Sequence, residues 1–210
     1  MTKGFGVDSR RVTKELSARR PSRDCNVVLL EPERITDSRG WFMSTWSMQS
    51  MAAAGIDVAF VQDNHSYSAA TGTVRGLHFQ MPPHAQAKLV RCVRGSIIDY
   101  AVDIRAGSST YGRWVSVRLS SDNGRQLYIP VGFAHGFVTL QPDTEVAYKC
   151  SDVYAPQCEG GLIWDDPAIG IDWPLPAEGP ILSDRDRGLP DLAHFDSPFL
   201  FDGHPLGSLR

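Results

Sequence analysis

From residue 26 onward the sequence is a succession of short apolar runs, and this pattern constrains the fold more than any other feature. Most runs are rich in Val, Ile, Tyr, Phe, Leu or Thr, and turn signals such as Arg94-Gly95 and Asp122-Asn123-Gly124 separate many of them. Short strands about 8–12 residues apart, with no long crossover helix between them, predict an antiparallel sandwich, jelly roll or barrel. We predict one short helix at 46–54, before Gly55, and strands at 27–30, 58–61, 73–79, 88–93, 96–104, 114–119, 126–129, 136–140, 145–150 and 161–164.

The charge balance disfavours a partner that is a nucleic acid or a membrane surface. The 210 residues include 21 Lys and Arg against 24 Asp and Glu, a formal net charge of −3, whereas polyanion binding needs a concentrated basic face. The first 24 residues hold seven basic and three acidic side chains, so they are net +4 and the rest of the chain is net −7. We divide the chain into a partly disordered N-terminal extension (1–25), a barrel domain (26–190) and a C-terminal tail (191–210).

The four cysteines, Cys25, Cys92, Cys150 and Cys158, form no C-x-x-C pair. We interpret them as free thiols in a reducing cytoplasm, although Cys150 and Cys158 could lie close together. No apolar run reaches the ~18 residues of a membrane span, and the basic N-terminus lacks the apolar stretch of a secretory signal. The sequence therefore predicts a cytoplasmic protein.

Segment 96–104 alternates between two unlike faces. One face is apolar, and the other mixes apolar residues with the carboxylates Asp99 and Asp103. If the mixed face looks into the barrel, it lines a polar binding cavity. If it looks outward, it is an ordinary solvated surface, and alternation alone leaves both interpretations open.

Three histidines lie in or beside predicted strands, at His65, His78 and His135. The P-x-G-x-x-H spacing that ends at His135 resembles the second sequence box of the cupin superfamily of β-barrels. Metal-binding cupins usually have H-x-H in their first box, where this chain has His78-Phe79-Gln80. A neutral amide is a poor substitute for an imidazole ligand, so we predict no catalytic metal and set aside metal-dependent oxygenase chemistry.

Two further strands carry polar side chains that could reach the same interior, at Lys88 and Tyr148. If both point inward, the lumen contains His78, Lys88, His135 and Tyr148. An imidazole could then remove a proton next to a carbonyl, a cation could stabilise the enolate, and a phenol could return a proton from the opposite side. This set predicts an epimerisation that needs no cofactor.

Many sequence motifs, in order along the chain, point to one family. They lie at 37–40, 60–66, 74–80, 88–92, 101–105, 129–137, 148–149, 159–160 and 164–171. Residues from about 26 to 190 thus closely resemble the dTDP-4-dehydrorhamnose 3,5-epimerase family. The resemblance implies an all-β, cupin-type jelly-roll barrel with short peripheral helices, a dTDP-sugar substrate and no cofactor. It also implies a homodimer, in which the N-terminal extension could serve as an exchanged arm.

The resemblance implies catalytic roles for particular residues. His78 matches the base that removes the protons at C3 and C5 of a 4-keto sugar, and Tyr148 matches the acid on the opposite face of the ring. Asp186 matches the carboxylate that orients the histidine, with Asp184 as an inferior alternative. Lys88 is expected to support the enolate oxygen.

The residues that the resemblance assigns to nucleotide-sugar binding include several arginines, whose planar fork suits a diphosphate. They are Arg39, Ser44, Gln62, Asp63, Asn64, Arg75, Lys88, His135, Glu159 and Arg185. Ser44 departs from the family, which usually has a glutamate there, and this bears on the preference for nucleotide or sugar. Strict alternation also places Arg75 and His78 on opposite faces. Either Gly76 forms a bulge, or Arg75 reaches the ligand from the strand entrance or across a dimer interface.

We therefore predict a nucleotide-sugar epimerase that converts dTDP-4-dehydro-6-deoxy-D-glucose to dTDP-4-dehydro-L-rhamnose by inversion at C3 and C5. A relative that inverts only one centre would use the same base and acid, so that alternative stays open. A non-catalytic cupin that binds a sugar nucleotide is a third alternative, but such a protein has no need of a base and an opposed acid.

Overall fold

The computed structural model describes Ser17–Arg19 and residues 26–201. The described residues form thirteen strands and two short α-helices. The strands are β1 (Ser17–Arg19), β2 (Val28–Glu31), β3 (Ile35–Asp37), β4 (Gly40–Phe42), β5 (Gln62–Ser68), β6 (Val74–Gln80), β7 (Lys88–Arg94), β8 (Ser96–Asp103), β9 (Trp114–Ser120), β10 (Gln126–Ile129), β11 (Phe133–Thr139), β12 (Thr144–Cys150) and β13 (Glu159–Gly161). The helices are α1 (Met48–Ala53) and α2 (Asp184–Arg187). No helix among these residues is long and apolar enough to cross a membrane.

Two antiparallel sheets enclose the core. One has the strand order β1-β2-β10-β7-β12-β5 and the other the order β13-β6-β11-β8-β9. Buried apolar side chains from both sheets, among them Val90, Ile97, Leu127, Phe137 and Val146, form a single cluster between them. This arrangement confirms the predicted all-β jelly-roll barrel, and the two helices lie at its periphery.

The mixed face of β8 looks into the lumen, which answers the question that alternation left open. Ile97 and Ala101 belong to the cluster between the sheets, and Asp99 is fully buried on the same face. Tyr100 and Val102 belong instead to a second cluster, on the outer side of this sheet. The barrel interior is therefore apolar over part of its length and polar around Asp99.

Strand β6 contains a bulge at Gly76. His78 lies opposite His135 of β11, but Arg75 lies opposite Phe137, so three steps on β6 match two on β11. Gly76 has φ +139, and a Cβ there would lie 2.5 Å from the Cα of Gly136, so only glycine fits. The extra residue brings Arg75 and His78 to the same face, which confirms the first of the predicted alternatives.

The predicted strand at 58–61 is wrong, because these residues form no strand and β5 begins at Gln62. Val58 and Phe60 pack instead against the cluster on the outer side of the six-stranded sheet. The predicted strand at 161–164 is also displaced, since β13 ends at Gly161 and the N–H of Ile163 bonds to the carbonyl of Pro190. Helix α1 begins two residues later than predicted, because the Ser47 hydroxyl caps it by accepting from the N–H of Ser50 at 3.1 Å.

Strands β3 and β4 form a hairpin outside both sheets that the sequence did not reveal. Ile35, Trp41 and Phe42 are more than half exposed on it. The guanidinium of Arg34, just before β3, donates to the carbonyls of Ser121 and Asp122 in the turn between β9 and β10. The hairpin is thus tied to that turn.

Candidate active site

Four strands each place one polar side chain of the candidate site in the lumen. His78 on β6 lies directly opposite His135 on β11, and both belong to the five-stranded sheet. Lys88 on β7 and Tyr148 on β12 belong to the six-stranded sheet. Tyr148 packs against the core cluster between the sheets, and Lys88 and His78 both act electrostatically on His135. The lumen set that the sequence predicted is therefore assembled.

His78 and Asp186 form a hydrogen-bonded pair, with 2.7 Å between Nε2 and Oδ1. Burial would raise the pKa of Asp186, but the hydrogen bond to His78 and contacts with the Gly76 N–H and the Ser183 hydroxyl hold it below its ordinary value. An ionised carboxylate can only accept, so Nε2 carries the proton and Nδ1 is free to take another. Asp184 is exposed, which favours Asp186 as the orienting carboxylate.

A second pair of this kind lies beside the first. Nε2 of His135 is 2.7 Å from Oδ1 of Asp99, and both side chains are buried. Burial lowers the pKa of His135 despite the opposing effect of Asp99, and Lys88 and His78 lower it further. A histidine in this setting is neutral at pH 7 and can fix a substrate oxygen or the neighbouring ring by hydrogen bonding.

Lys88 and Tyr148 have perturbed pKa values of the kind that active sites show. Removal from water lowers the pKa of Lys88, while Cys150, Asp99 and Glu159 oppose that change. Burial raises the pKa of Tyr148, and Cys150 adds to the rise while Arg75 counters it. Tyr148 is therefore a protonated phenol at neutral pH, which is the state that a proton donor requires.

Two hydrogen-bonded groups of charged side chains, around Glu159 and around Arg75, act electrostatically on Tyr148. Arg185 pairs with Glu159, and the Tyr154 hydroxyl donates to the same carboxylate at 2.8 Å. Burial would raise the pKa of Glu159, but these two hydrogen bonds keep it below its ordinary value. Arg75 donates to the Ser68 hydroxyl and to the carbonyl of Tyr67. Arg75 and Arg185 thus supply two guanidinium groups that could bind a diphosphate.

Known proteins of one family match most of this chain. Residues 25–194 match a family model described as dTDP-4-dehydrorhamnose 3,5-epimerase. The chain belongs to this family. It is 49% identical over 175 residues to the dTDP-4-dehydrorhamnose 3,5-epimerase of Sinorhizobium fredii, with 83% of this chain and 89% of that protein covered.

Solved structures of the family share the fold. The chain resembles a Legionella pneumophila dTDP-6-deoxy-D-glucose-3,5-epimerase, in complex with dTDP-4-keto-L-rhamnose, at 40% identity and a TM-score of 0.81, covering 87% of this chain and 95% of that one. It also resembles a 3′-monoepimerase of Streptomyces bikiniensis, in complex with dTDP-quinovose, at 36% identity and a TM-score of 0.75, covering 83% and 88%. The fold is thus the cupin-type jelly roll of this epimerase family.

Three predicted binding residues do not join the lumen group within one chain. Arg39 lies on the β3–β4 hairpin, where its side chain is 87% exposed and pairs with Asp37 at 2.6 Å. Ser44 follows the same hairpin and is exposed. Asp63 lies on the outer face of β5 and pairs with Lys149 at 2.8 Å, because alternation turns it away from Gln62 and Asn64.

Gln80, the amide of the first cupin box, is engaged by backbone groups. Its Nε2 donates to the carbonyls of His84 and Val153, and its Oε1 accepts from the N–H of Ala155. The side chain therefore anchors a loop. Among the described residues, no group of three or more His, Cys, Asp and Glu is arranged to hold a metal ion.

The structure adds three residues that sequence reasoning did not place in the site, namely Asp99, Tyr154 and Cys150. Asp99 gave a signal, since it is a carboxylate on a mixed strand face, but nothing in the sequence pairs it with His135. Tyr154 follows β12 in a loop, where strand alternation gives no information about direction. Cys150 shares the inward face of β12 with Tyr148, and this signal was available from the two-residue spacing.

Proposed function

We propose that the protein is a nucleotide-sugar epimerase that converts dTDP-4-dehydro-6-deoxy-D-glucose to dTDP-4-dehydro-L-rhamnose by inversion at C3 and C5. One observation carries the proposal: the base and the acid come from opposite sheets. His78, paired with Asp186, belongs to the five-stranded sheet, and the protonated Tyr148 belongs to the six-stranded sheet. A sugar ring lying between the sheets would have a base on one face and an acid on the other.

The chemistry follows from this arrangement. Nδ1 of His78 removes the proton next to the ketone, and Asp186 stabilises the imidazolium that forms. The ammonium of Lys88 stabilises the enolate oxygen, since a charge acts strongly where water is excluded. Tyr148 then delivers a proton from the other face, which inverts the carbon. Once His78 has lost its extra proton to solvent and Tyr148 has regained one from it, the same groups act a second time at C5, when the other carbon next to the ketone reaches His78.

The substrate class rests on the charged and amide side chains near the lumen and on the relatives. Arg75 and Arg185 suit the diphosphate, and we assign Gln62, Asn64, His135 and Glu159 to the rest of the nucleotide sugar. The half-exposed ring of Tyr154, whose hydroxyl bonds to Glu159, is our candidate for stacking on thymine. The Legionella relative has dTDP-4-keto-L-rhamnose in its complex.

The proposal includes a homodimer in the cytoplasm. Arg39, Ser44 and Asp63 do not join the lumen group of their own chain, and a hairpin with Trp41 and Phe42 more than half exposed suits an interface with a second copy. In that arrangement the hairpin of one subunit would complete the site of the other. Residues 1–25, of which Ser17–Arg19 pair with β2 of the same chain, would be the dimer arm beside the barrel domain (26–190) and the tail (191–210). The three described cysteines carry free thiols, as a reducing cytoplasm maintains.

A single-centre epimerase is a second candidate, because the likeness to a 3′-monoepimerase covers 83% of this chain. One experiment separates the two. The protein is incubated with dTDP-4-dehydro-6-deoxy-D-glucose in heavy water, and deuterium at C3 and C5 is followed by NMR. Label at both carbons supports the 3,5-epimerase, and label at one supports the single-centre enzyme. Tight binding without any label would refute catalysis and support a non-catalytic binding protein.

His78→Ala is the matched variant for this experiment. We expect it to abolish exchange at both carbons while it still binds the nucleotide. Exchange that survives intact in His78→Ala would show that another residue is the base.

A further inference from the structure

Asp99 and His135 form a second histidine–carboxylate pair in the lumen, and the proposed mechanism gives this pair no proton to move. Nε2 of His135 lies 2.7 Å from Oδ1 of Asp99. His135 lies directly opposite His78, the proposed base, whose Nε2 is bonded in the same way to Asp186. The base thus has a neighbour with the same hydrogen-bonding pattern.

Burial separates the two histidines in function. The side chain of His78 is 30% exposed, whereas that of His135 is only 8% exposed. Burial lowers the pKa of His135 despite the opposing effect of Asp99, and Lys88 lowers it further. A proton that His78 takes from the sugar adds a positive charge beside His135, so His135 stays neutral during the reaction. It is therefore a hydrogen-bonding group and not a second base.

Asp99 determines which ring nitrogen of His135 carries the proton. Oδ2 of Asp99 is buried and has no hydrogen-bond partner among the described residues. A buried carboxylate with an unpaired oxygen destabilises a fold, so packing alone does not account for it. Because an ionised carboxylate can only accept a hydrogen bond, the contact through Oδ1 holds the ring proton of His135 on Nε2.

The lone pair of the ring is then on Nδ1 of His135. Nδ1 has no hydrogen-bond partner in the described part of the chain, yet it is not one of the fully buried unpaired atoms, so it stays accessible. Such an acceptor is available to a donor on the ligand. In a 4-keto-6-deoxy sugar the donors are the hydroxyl groups at C2 and C3. Inversion moves the C3 hydroxyl to the other face of the ring, whereas the C2 hydroxyl keeps its configuration.

We propose that Asp99 is a positioning residue that holds His135 with Nδ1 as the hydrogen-bond acceptor for the C2 hydroxyl of the sugar. This inference rests on the proposed function, which supplies the sugar. A site that binds a hydroxyl through a buried polar group rejects the analogue that lacks the hydroxyl, because the group is then left unpaired. The Asp99–His135 pair therefore selects sugar nucleotides that carry a C2 hydroxyl over their 2-deoxy analogues.

The test compares Asp99→Leu with Asp103→Asn as the matched control. Leucine keeps the branched shape of Asp99 and removes both oxygens, which leaves Nε2 of His135 against an apolar group and Nδ1 toward the water of the lumen. Asp103 is the other carboxylate on the mixed face of β8 and is also buried, but it bonds to Arg105 and Ser108. The control thus changes a buried carboxylate on the same strand that does not bond to His135.

The first readout is the tautomer of His135, measured by NMR in protein labelled with nitrogen-15 at histidine and assigned with His135→Gln. We expect the ring proton on Nε2 in the wild type and in Asp103→Asn, and on Nδ1 in Asp99→Leu. If Asp99→Leu does not fold, Asp99→Asn replaces it, because its amide can donate to Nε2 and so favours a proton on Nδ1. A proton on Nδ1 in the wild type at pH 7, or one tautomer in all the variants, would overturn the inference.

The second readout compares dTDP-4-dehydro-6-deoxy-D-glucose with its 2-deoxy analogue. We expect the wild type to prefer the hydroxylated sugar by about 10-fold in kcat/KM for exchange at C3, and Asp99→Leu to lose most of this preference. Asp103→Asn should keep it. Damage to the fold alone would lower activity on both sugars equally and leave their ratio unchanged. An unchanged ratio in Asp99→Leu would therefore also overturn the inference.

Failure of the proposed function would be seen separately. The tautomer of His135 does not depend on turnover, and calorimetry gives the affinities of the two sugar nucleotides without catalysis. A wild-type protein that exchanges no deuterium but binds the hydroxylated sugar more tightly, with that preference lost in Asp99→Leu, would refute the proposed function and support the role of Asp99.

Discussion

Asp186→Asn removes the negative charge beside His78 and preserves the size of the side chain. The carboxylate is 6% exposed and lies 2.7 Å from Nε2, so the hydrogen bond is charge-assisted and little screened by water. Such bonds contribute about 1.5–3 kcal/mol, and the asparagine amide can also turn its NH₂ toward Nε2, which would favour the wrong tautomer. If this contribution is made chiefly in the transition state, kcat should fall by about 10- to 100-fold with KM changed by less than about threefold.

The assay is deuterium incorporation at C3 of the 4-keto sugar in heavy water, measured with kcat and KM and with a thermal unfolding curve for each protein. Asp184→Asn is the matched control, because it removes the same charge two residues away on the exposed side of α2. The control should keep wild-type activity. Equal losses in the two variants, or full activity in Asp186→Asn, would refute the assignment of Asp186 as the orienting carboxylate.

Three further predictions follow from other parts of the molecule. Tyr148→Phe should retain measurable deuterium exchange at C3 but lose inversion, since His78 can remove the proton even when no proton is delivered from the other sheet. NMR of the recovered sugar distinguishes exchange from inversion. Normal inversion would contradict the role of Tyr148. Gly76→Ala should destabilise the fold by about 2–3 kcal/mol in urea unfolding, because its Cβ would meet the backbone of Gly136, whereas Gly179→Ala, with open space around it, should cost about 1 kcal/mol. Hydrogen bonds from Arg105, Ser108 and Thr110 outweigh the burial that would raise the pKa of Asp103, so its pKa is lowered in the folded state. The stabilisation that the ionised Asp103 gives is present above the unfolded pKa and is lost as pH falls through the folded pKa. Asp103→Asn should therefore lower the Tm at pH 7 more than at pH 3. An equal loss of Tm at both pH values would contradict this role of Asp103.

The strands that lie in the middle of the sheets could be predicted from the sequence because their side chains are buried on one or both faces. β7, β8, β10 and β12 are rich in apolar and β-branched residues, and their bounds agree with the predicted ones to within one residue. β5 was missed because it is an edge strand with polar residues on both faces, Gln62 to Ser68. A hydrophobic pattern cannot identify such a strand, since pairing with β12 rather than burial holds it in place.

One part of the candidate site could likewise be predicted from the sequence, and another part could not. His78, Lys88, His135 and Tyr148 could be grouped from the alternation of their strands, because a closed barrel gives every inward face one shared lumen. The partner of His135 could not, since Ala101 lies directly opposite His135 and Asp99 reaches the ring from two residues away along β8. The exposed position of Arg39 in a single chain could not be predicted either. The order of motifs along a sequence does not show which hairpin lies outside the sheets.

The bulge at Gly76 explains why three functional features depend on one residue. The inserted step turns Arg75 to the inward face that His78 occupies, so a cation and a base reach the same lumen from neighbouring positions. The freed Gly76 N–H interacts with Asp186 and helps to keep that carboxylate ionised. The close approach of Gly76 to Gly136 also sets the spacing between β6 and β11, and hence the place of His78 opposite His135. A regular strand would lack both the shared inward face of Arg75 and His78 and the free N–H of Gly76. Replacement of this glycine is therefore expected to displace three groups together: the base, its orienting carboxylate and a diphosphate-binding arginine.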